Sequence, residues 1–196
     1  MANVRIFVDF WNFQLAWNSA YPRISGIPVK IDWRRLPPIL MGELPTALGL
    51  ATENLNYKGV NIYASVNPDP QSKDAKLRNF LHKTLNQFPG FQVQVFERKE
   101  RPSADATGQT TSRTVEKGVD TKIVTDLFEG AINATYDIAV LISNDADFCP
   151  AIRAIQDRLD RKVIHAGFKR GGDEIRSACW SHFVLDGPVS DALRSV

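Results

Sequence analysis

Cysteine is scarce in this chain. The 196 residues contain only Cys149 and Cys179, which excludes a disulfide framework and any cysteine-rich metal knuckle. Histidine is equally thin: His82, His165 and His182 are scattered, so no histidine cluster with ligand spacing exists and each reads as structural or exposed. No apolar run approaches the roughly 20 residues of a membrane helix. The opening stretch MANVRIFVDF has no basic head, long apolar segment or cleavage site, and reads as a strand rather than a leader. These absences together predict a cytoplasmic, reducing setting with no membrane partner. There is also no strong excess of one charge. The net charge is +2, too mild to announce nucleic-acid binding without a local concentration of basic residues.

What the chain does have is the composition of a folded protein, 43% apolar and 23% charged. Its length suits one domain with a real core. Short apolar runs at 4–10, 60–66, 91–97, 136–143 and 162–168 predict strands, with a sixth short one at 182–186. Between them, 72–88, 119–132 and 148–159 repeat apolar residues every three or four positions, as helices do. Helices alternating with nearly continuous apolar strands imply an α/β fold with a mostly parallel sheet of about five strands covered on both faces. Two segments break the alternation. Residues 22–58 hold five of the eleven prolines around DWRRLPPIL and read as an insertion or excursion at the edge. Residues 98–116 are rich in Ser, Thr, Gly and charge without periodicity, and read as a mobile basic loop carrying Arg98, Arg101 and Arg113. The expected organisation is therefore one domain over 1–196.

In open parallel sheets, ligands bind beyond the carboxyl ends of the strands. The first strand ends at Asp9, with Asn12 three residues on. The strand in IAVLISNDADFCP ends at Ser143, followed by Asp145 and Asp147. EKGVD brings Asp120 to the start of a helix, with Glu116 four residues earlier, and Asp126 lies further along that helix, off its apolar stripe. Each aspartate taken singly also suits a helix cap, because its side chain accepts from free backbone N–H groups. Four together exceed what caps require. Two carboxylates about 5 Å apart repel by roughly 3 kcal/mol at an effective dielectric near 20, so such a cluster calls for raised pKa values or a bound cation. With oxygen ligands alone the cation is hard, Mg²⁺ or Mn²⁺, and that choice points to phosphodiester chemistry.

The segments IFVDFWN (6–12), KGVDTKIVTDLFEGA (117–131), AVLISNDADFCPAI (139–152) and GGDEIRSACWSHFVLD (171–186) resemble, in order, the NYN domain family, a PIN-like group that includes LabA-like bacterial proteins. The resemblance implies a three-layer PIN-like fold and a metal-dependent ribonuclease site. Asp9, Asp120, Asp145 and Asp147 match its acidic, metal-holding residues. Asn12 and Ser143 match its supporting polar groups, Lys117 and Gly118 match the approach to the second acid, and Asp126 matches an acid whose role stays open. Where the family commonly has glycine this chain has Asn144, a residue that tolerates a left-handed backbone.

The expected activity is Mg²⁺- or Mn²⁺-dependent hydrolysis of RNA, most simply single-stranded. Lys117, Arg98, Arg101, Arg113, Lys169 and Arg170 would hold the phosphate backbone, and Trp11 and Trp17 would stack on bases. The alternative is an RNA-binding regulatory module of the same fold with little or no turnover. An aspartyl phosphatase fits less well, because DFWN lacks a second acid two residues after Asp9. A dinucleotide-binding dehydrogenase is excluded by the absence of a glycine-rich loop after the first strand. Homo-oligomerisation is left open.

Overall fold

Alternating apolar runs become alternating layers. The computed structural model describes residues 1–22, 27–49, 51, 54–104 and 110–195, with 100–104 and 110–114 described by backbone alone. Six strands form one all-parallel sheet, in the spatial order 91–97, 55–66, 2–9, 138–142, 162–167 and 181–184. They are β1 (Ala2–Asp9), β2 (Leu55–Val66), β3 (Phe91–Glu97), β6 (Ile138–Ile142), β7 (Lys162–Gly167) and β8 (Ser181–Val184). The described helices are α1 (Phe10–Ala20), α2 (Leu36–Leu48), α3 (Ala75–Lys83), α4 (Val119–Ile132), α5 (Cys149–Leu159), α6 (Asp173–Ala178) and α7 (Pro188–Ala192). None is long and apolar enough to cross a membrane.

Side chains alternate across the sheet, as a strand's period of two requires. Val4, Ile6 and Val8 of β1, with Val140 and Ile142 of β6, pack against Phe13 and Trp17 of α1, Leu36, Leu40 and Leu44 of α2, and Leu81 of α3. Phe7 of β1, with Ala139 and Leu141 of β6, faces the other way onto Ile123 and Leu127 of α4 and Ile152 and Ile155 of α5. The result is the three-layer PIN-like arrangement, with six strands rather than about five. The proline-rich 22–58 stretch contributes α2, which opens with prolines in its first turn and lays three leucines into the core.

Residues 98–116, expected as a loop, contain two further strands. β4 (Lys99–Ala104) and β5 (Thr110–Val115) pair antiparallel as a separate ribbon, with Arg101 opposite Arg113 in register. The ribbon has no apolar face to bury, which is why hydrophobic periodicity did not reveal it.

β1 is the first strand in sequence, yet it lies between β2 and β6. The chain winds away from it on one side, then returns to its other side. Such a reversal opens a crevice at the carboxyl ends of the two strands. The register pairs Val8 with Ile142, so the next residues, Asp9 and Ser143, emerge together at that crevice.

Candidate functional site

Asp9 ends β1 and caps α1. Its backbone is extended (φ −74°, ψ 103°), and one carboxylate oxygen accepts from the Asn12 N–H at 3.2 Å. The other accepts from the Ser143 hydroxyl at 3.1 Å. Asp9 is only 7% exposed. Burial is the largest influence on its carboxyl and pushes its pKa up to about 6. The bonds from Asn12 and Ser143 act against that rise, and the charges of Asp120 and Glu116 add to it.

Ser143 joins the two strand ends. Its Oγ donates to Asp9 and accepts from the Asp145 N–H at 3.2 Å. Its carbonyl accepts from His165 Nε2–H at 3.1 Å. Burial holds the His165 pKa down to about 4, so this imidazole is a neutral support for the loop. Asn12 closes the crevice from the α1 side, its side-chain carbonyl accepting from the Asn144 N–H at 2.8 Å.

Asn144 does not need the left-handed backbone its replacement of glycine suggested. Among the described non-glycine residues only Ala134 and Asp160 have positive φ. The accommodation lies opposite it, in the glycines of KRGGD. Gly172, at φ +77°, sits where an added Cβ would come 2.6 Å from the Asn144 amide oxygen. Any larger residue would collide with Asn144 as well as strain the backbone.

Asp145 caps the short 3₁₀ turn Ala146–Phe148 and accepts from the Asp147 N–H at 2.9 Å. Asp147 is exposed. Asp120 is the second residue of α4 and is not its cap. The cap is Gly118, at φ +95° and without a side chain to accept. The Asp120 carboxyl is pushed up, first by burial and then by the charges of Asp145, Glu116 and Asp147. Two of the four aspartates, Asp9 and Asp145, therefore spend one oxygen on a cap, while the carboxyls of Asp9 and Asp120 are raised in part by neighbouring acids.

Glu116, which the sequence shows only as a neighbour of Asp120, also bears on these acids. Its carboxylate accepts from the Ser65 hydroxyl, near the carboxyl end of β2, and raises both Asp9 and Asp120. Its signal in the sequence was proximity to Asp120; the serine that fixes it lies 51 residues away.

Among the described residues, no three His, Cys, Asp or Glu side chains stand close enough to hold one metal ion together. The acids line a rim and do not form a closed cage. The donor set still suits Mg²⁺ or Mn²⁺, which take one or two carboxylates and complete their shells with water and phosphate oxygens. Hard carboxylate oxygens and the raised carboxyls of Asp9 and Asp120 agree with that choice.

The other expected residues divide. Lys117 is exposed beside Glu116, and Lys169 and Arg170 are exposed beyond β7. Arg98 is engaged: it pairs with Asp74 at 3.2 Å, donates to Ser65 Oγ at 3.0 Å and covers the Trp11 ring at 4.8 Å. The side chains of Arg101 and Arg113 lie outside the described residues. Asp126 turns into a separate polar network, accepting from the Tyr63 hydroxyl at 2.7 Å, Gln94 at 2.9 Å and the Lys122 ammonium. Trp17 cannot stack on a base as expected. It is fully buried, because α1 packs its apolar face onto the sheet, and its indole N–H donates to the Val29 carbonyl. Trp11 donates to the Ser65 carbonyl beneath Arg98.

A crystal structure of VPA0982, a protein of unknown function from Vibrio parahaemolyticus RIMD 2210633, superposes with a TM-score of 0.63 at 20% identity, covering 99% of this chain and 96% of that one. This likeness concerns the fold alone. A mutant ferredoxin-NADP+ reductase from Plasmodium falciparum aligns at a TM-score of 0.20 and 11% identity, over 97% of this chain and 51% of that one, too weakly to bear on fold or function. No curated protein matches the sequence. The NYN domain profile matches residues 3–186, nearly the whole chain. With its parallel sheet and an acidic rim at the reversal point, the chain belongs to the NYN domain family, a family with a PIN-like, nuclease-type fold.

Proposed function

We propose that this protein is a divalent-metal-dependent ribonuclease that hydrolyses phosphodiester bonds in single-stranded RNA. The observation that carries the reading is the rim itself. The Asp9 carboxyl is raised in part by the charges of Asp120 and Glu116, and that of Asp120 by Asp145, Glu116 and Asp147, at the strand ends where a parallel sheet presents its ligands. A structural role alone would be met by one cap per helix, and Asp120 caps nothing.

In this reading Asp9 and Asp120 are the principal metal-holding carboxylates, with Asp145 and Asp147 contributing from the turn after β6. When bound, Mg²⁺ or Mn²⁺ would make water a stronger nucleophile and offset charge on the phosphoryl and leaving oxygens. The chain's own residues orient the parts. Ser143 fixes the rotation of the Asp9 carboxylate and ties the Asp145 backbone to it. Asn12 holds the Asn144 turn against α1. Lys117 offers an ammonium to the phosphate backbone on one side of the acids, and Lys169 and Arg170 serve on the other. The unbridged cysteines suit a reducing, cytoplasmic setting.

The second reading, an RNA-binding module with negligible turnover, is favoured by one observation: among the described residues, no three acids converge on a single point. A paired measurement separates the two. Wild-type protein with Mn²⁺ should cleave a labelled single-stranded RNA. Asp9→Asn and Asp145→Asn should lose more activity than the roughly 10–100-fold typical of supporting residues, while keeping their fold by circular dichroism. RNA binding without metal-dependent cleavage in the wild type would establish the binding module instead.

A further inference from the structure

Beside the acidic rim lies a cleft of ≈ 790 Å³ between α1 and the turn that follows β7. Its size falls within the roughly 300–1,000 Å³ of small-ligand sites. Asn12 and Asn144, which hold the crevice closed at its α1 side, also line the cleft, so the cleft and the rim are continuous. One wall is Leu15, 64% exposed, an aliphatic side chain on α1 with no core to join. The facing wall carries Lys169 and Arg170, which make no ion pair among the described residues. Asp186 does not neutralise Lys169 directly. It accepts from the Lys169 backbone N–H at 3.0 Å, and so fixes the turn that presents the two cations. Arg176 braces the same turn through the carbonyls of Phe168 and Gly171.

An exposed aliphatic wall facing two unpaired cations within one cleft matches an amphipathic anion. We propose that the cleft seats one unstacked nucleotide of single-stranded RNA, its base against Leu15 and its phosphate on Lys169 and Arg170. This assignment rests on reading the rim as a ribonuclease site and gives that site a substrate register: the nucleotide adjoins the bond to be cut. A base reaches the Leu15 wall only after leaving its stack, so the cleft selects single strands over duplexes. An acidic peptide would engage the cations but would gain little from an aliphatic wall.

The test is binding rather than turnover. Fluorescence anisotropy of a labelled oligouridylate is measured in EDTA, where no metal-dependent cleavage occurs. Lys169→Ala/Arg170→Ala should weaken binding about 10-fold or more and flatten the slope of log Kd against log salt by about 1.4, two phosphate contacts at about 0.7 each. Leu15→Glu should weaken it comparably, while Leu15→Tyr, which offers a ring for stacking, should match or exceed wild type. Lys58→Ala/Lys83→Ala removes equal charge elsewhere and should change binding no more than about twofold, on the same counting of phosphate contacts. Equal effects of the two double variants, indifference to Leu15 substitutions, or duplex binding as tight as single-strand binding would each overturn the cleft. Because binding is read apart from cleavage, a protein that binds through the cleft yet cuts nothing refutes the ribonuclease reading alone. A protein that cuts RNA normally with the cleft disabled refutes the cleft alone.

Discussion

The Ser143 hydroxyl lies 3.1 Å from the Asp9 carboxylate, joining residues 134 positions apart in sequence. This contact exists because β1 and β6 are parallel neighbours in matched register, and it makes the hydroxyl the hinge between two walls of the rim. Ser143→Ala should reduce metal-dependent cleavage by roughly 10–100-fold and lower stability by about 1 kcal/mol. It should also raise the Asp9 pKa further, because the lost bond favoured the ionised form. The acid limb of the pH–rate profile would then move to higher pH. Threonine keeps the hydroxyl and should restore both rate and profile. An alanine variant with an unshifted limb would separate Ser143 from Asp9.

Asp9 also links stability to pH, and the sign is definite. Its pKa is about 6 in the fold, against an ordinary aspartate value of 3.8. The fold therefore favours the protonated form. Its contribution is fully present below about pH 4 and is lost as pH rises through about 6, on the order of 2–3 kcal/mol in metal-free buffer. Urea denaturation of the wild type should show this fall, and Asp9→Asn should remove it, leaving the variant more stable at neutral pH. Parallel pH curves for the two proteins would contradict the assignment.

A cation that relieves the repulsion should stabilise the fold by mass action. Mn²⁺ at about 100 times its dissociation constant should add roughly 2.7 kcal/mol, several degrees in Tm for a chain of this size. Differential scanning fluorimetry at neutral pH should show that shift in the wild type. Asp9→Asn and Asp120→Asn should show little of it. Asp126→Asn should shift as the wild type does.

Asp126 yields a separate prediction. It accepts from Tyr63, Gln94 and Lys122, joining α4 to β2 and β3 in a polar network of its own. Asp126→Asn and Tyr63→Phe should each lower stability by about 1–3 kcal/mol with cleavage per folded molecule unchanged. A loss of activity equal to that of Asp9→Asn would return Asp126 to the site.

The parts of this structure legible in the sequence are those that hydrophobic patterning controls. Runs such as IAVLI and the helical face of 119–132 have one physical solution, burial between layers, and the strand ends carry Asp9 and Ser143 with them. What patterning cannot see is the partner of a polar side chain. Arg98 reads as a free cation on a basic stretch, yet Asp74, Ser65 and Trp11 occupy it. Trp17 reads as a stacking platform or as a core residue, and only α1 laid on the sheet decides for the core. Glu116 joins the rim only because Ser65, on another strand, holds it. The β4–β5 ribbon is illegible for the converse reason: a sequence of Ser, Thr and charged residues carries no apolar periodicity to mark a strand. Asn144 shows complementarity between distant residues, its amide filling the space that Gly172 leaves open.

In the proposed mechanism, carboxylates from β1, α4 and the turn after β6 act as one site for a divalent ion. A crystal of the full chain soaked in Mn²⁺, with anomalous scattering recorded, tests it most directly. A peak about 2.1 Å from oxygens of Asp9 or Asp120, within the crevice bounded by Ser143 and Asp145, is the predicted result. A saturated crystal with no peak at the rim, or with manganese bound only elsewhere, would contradict it.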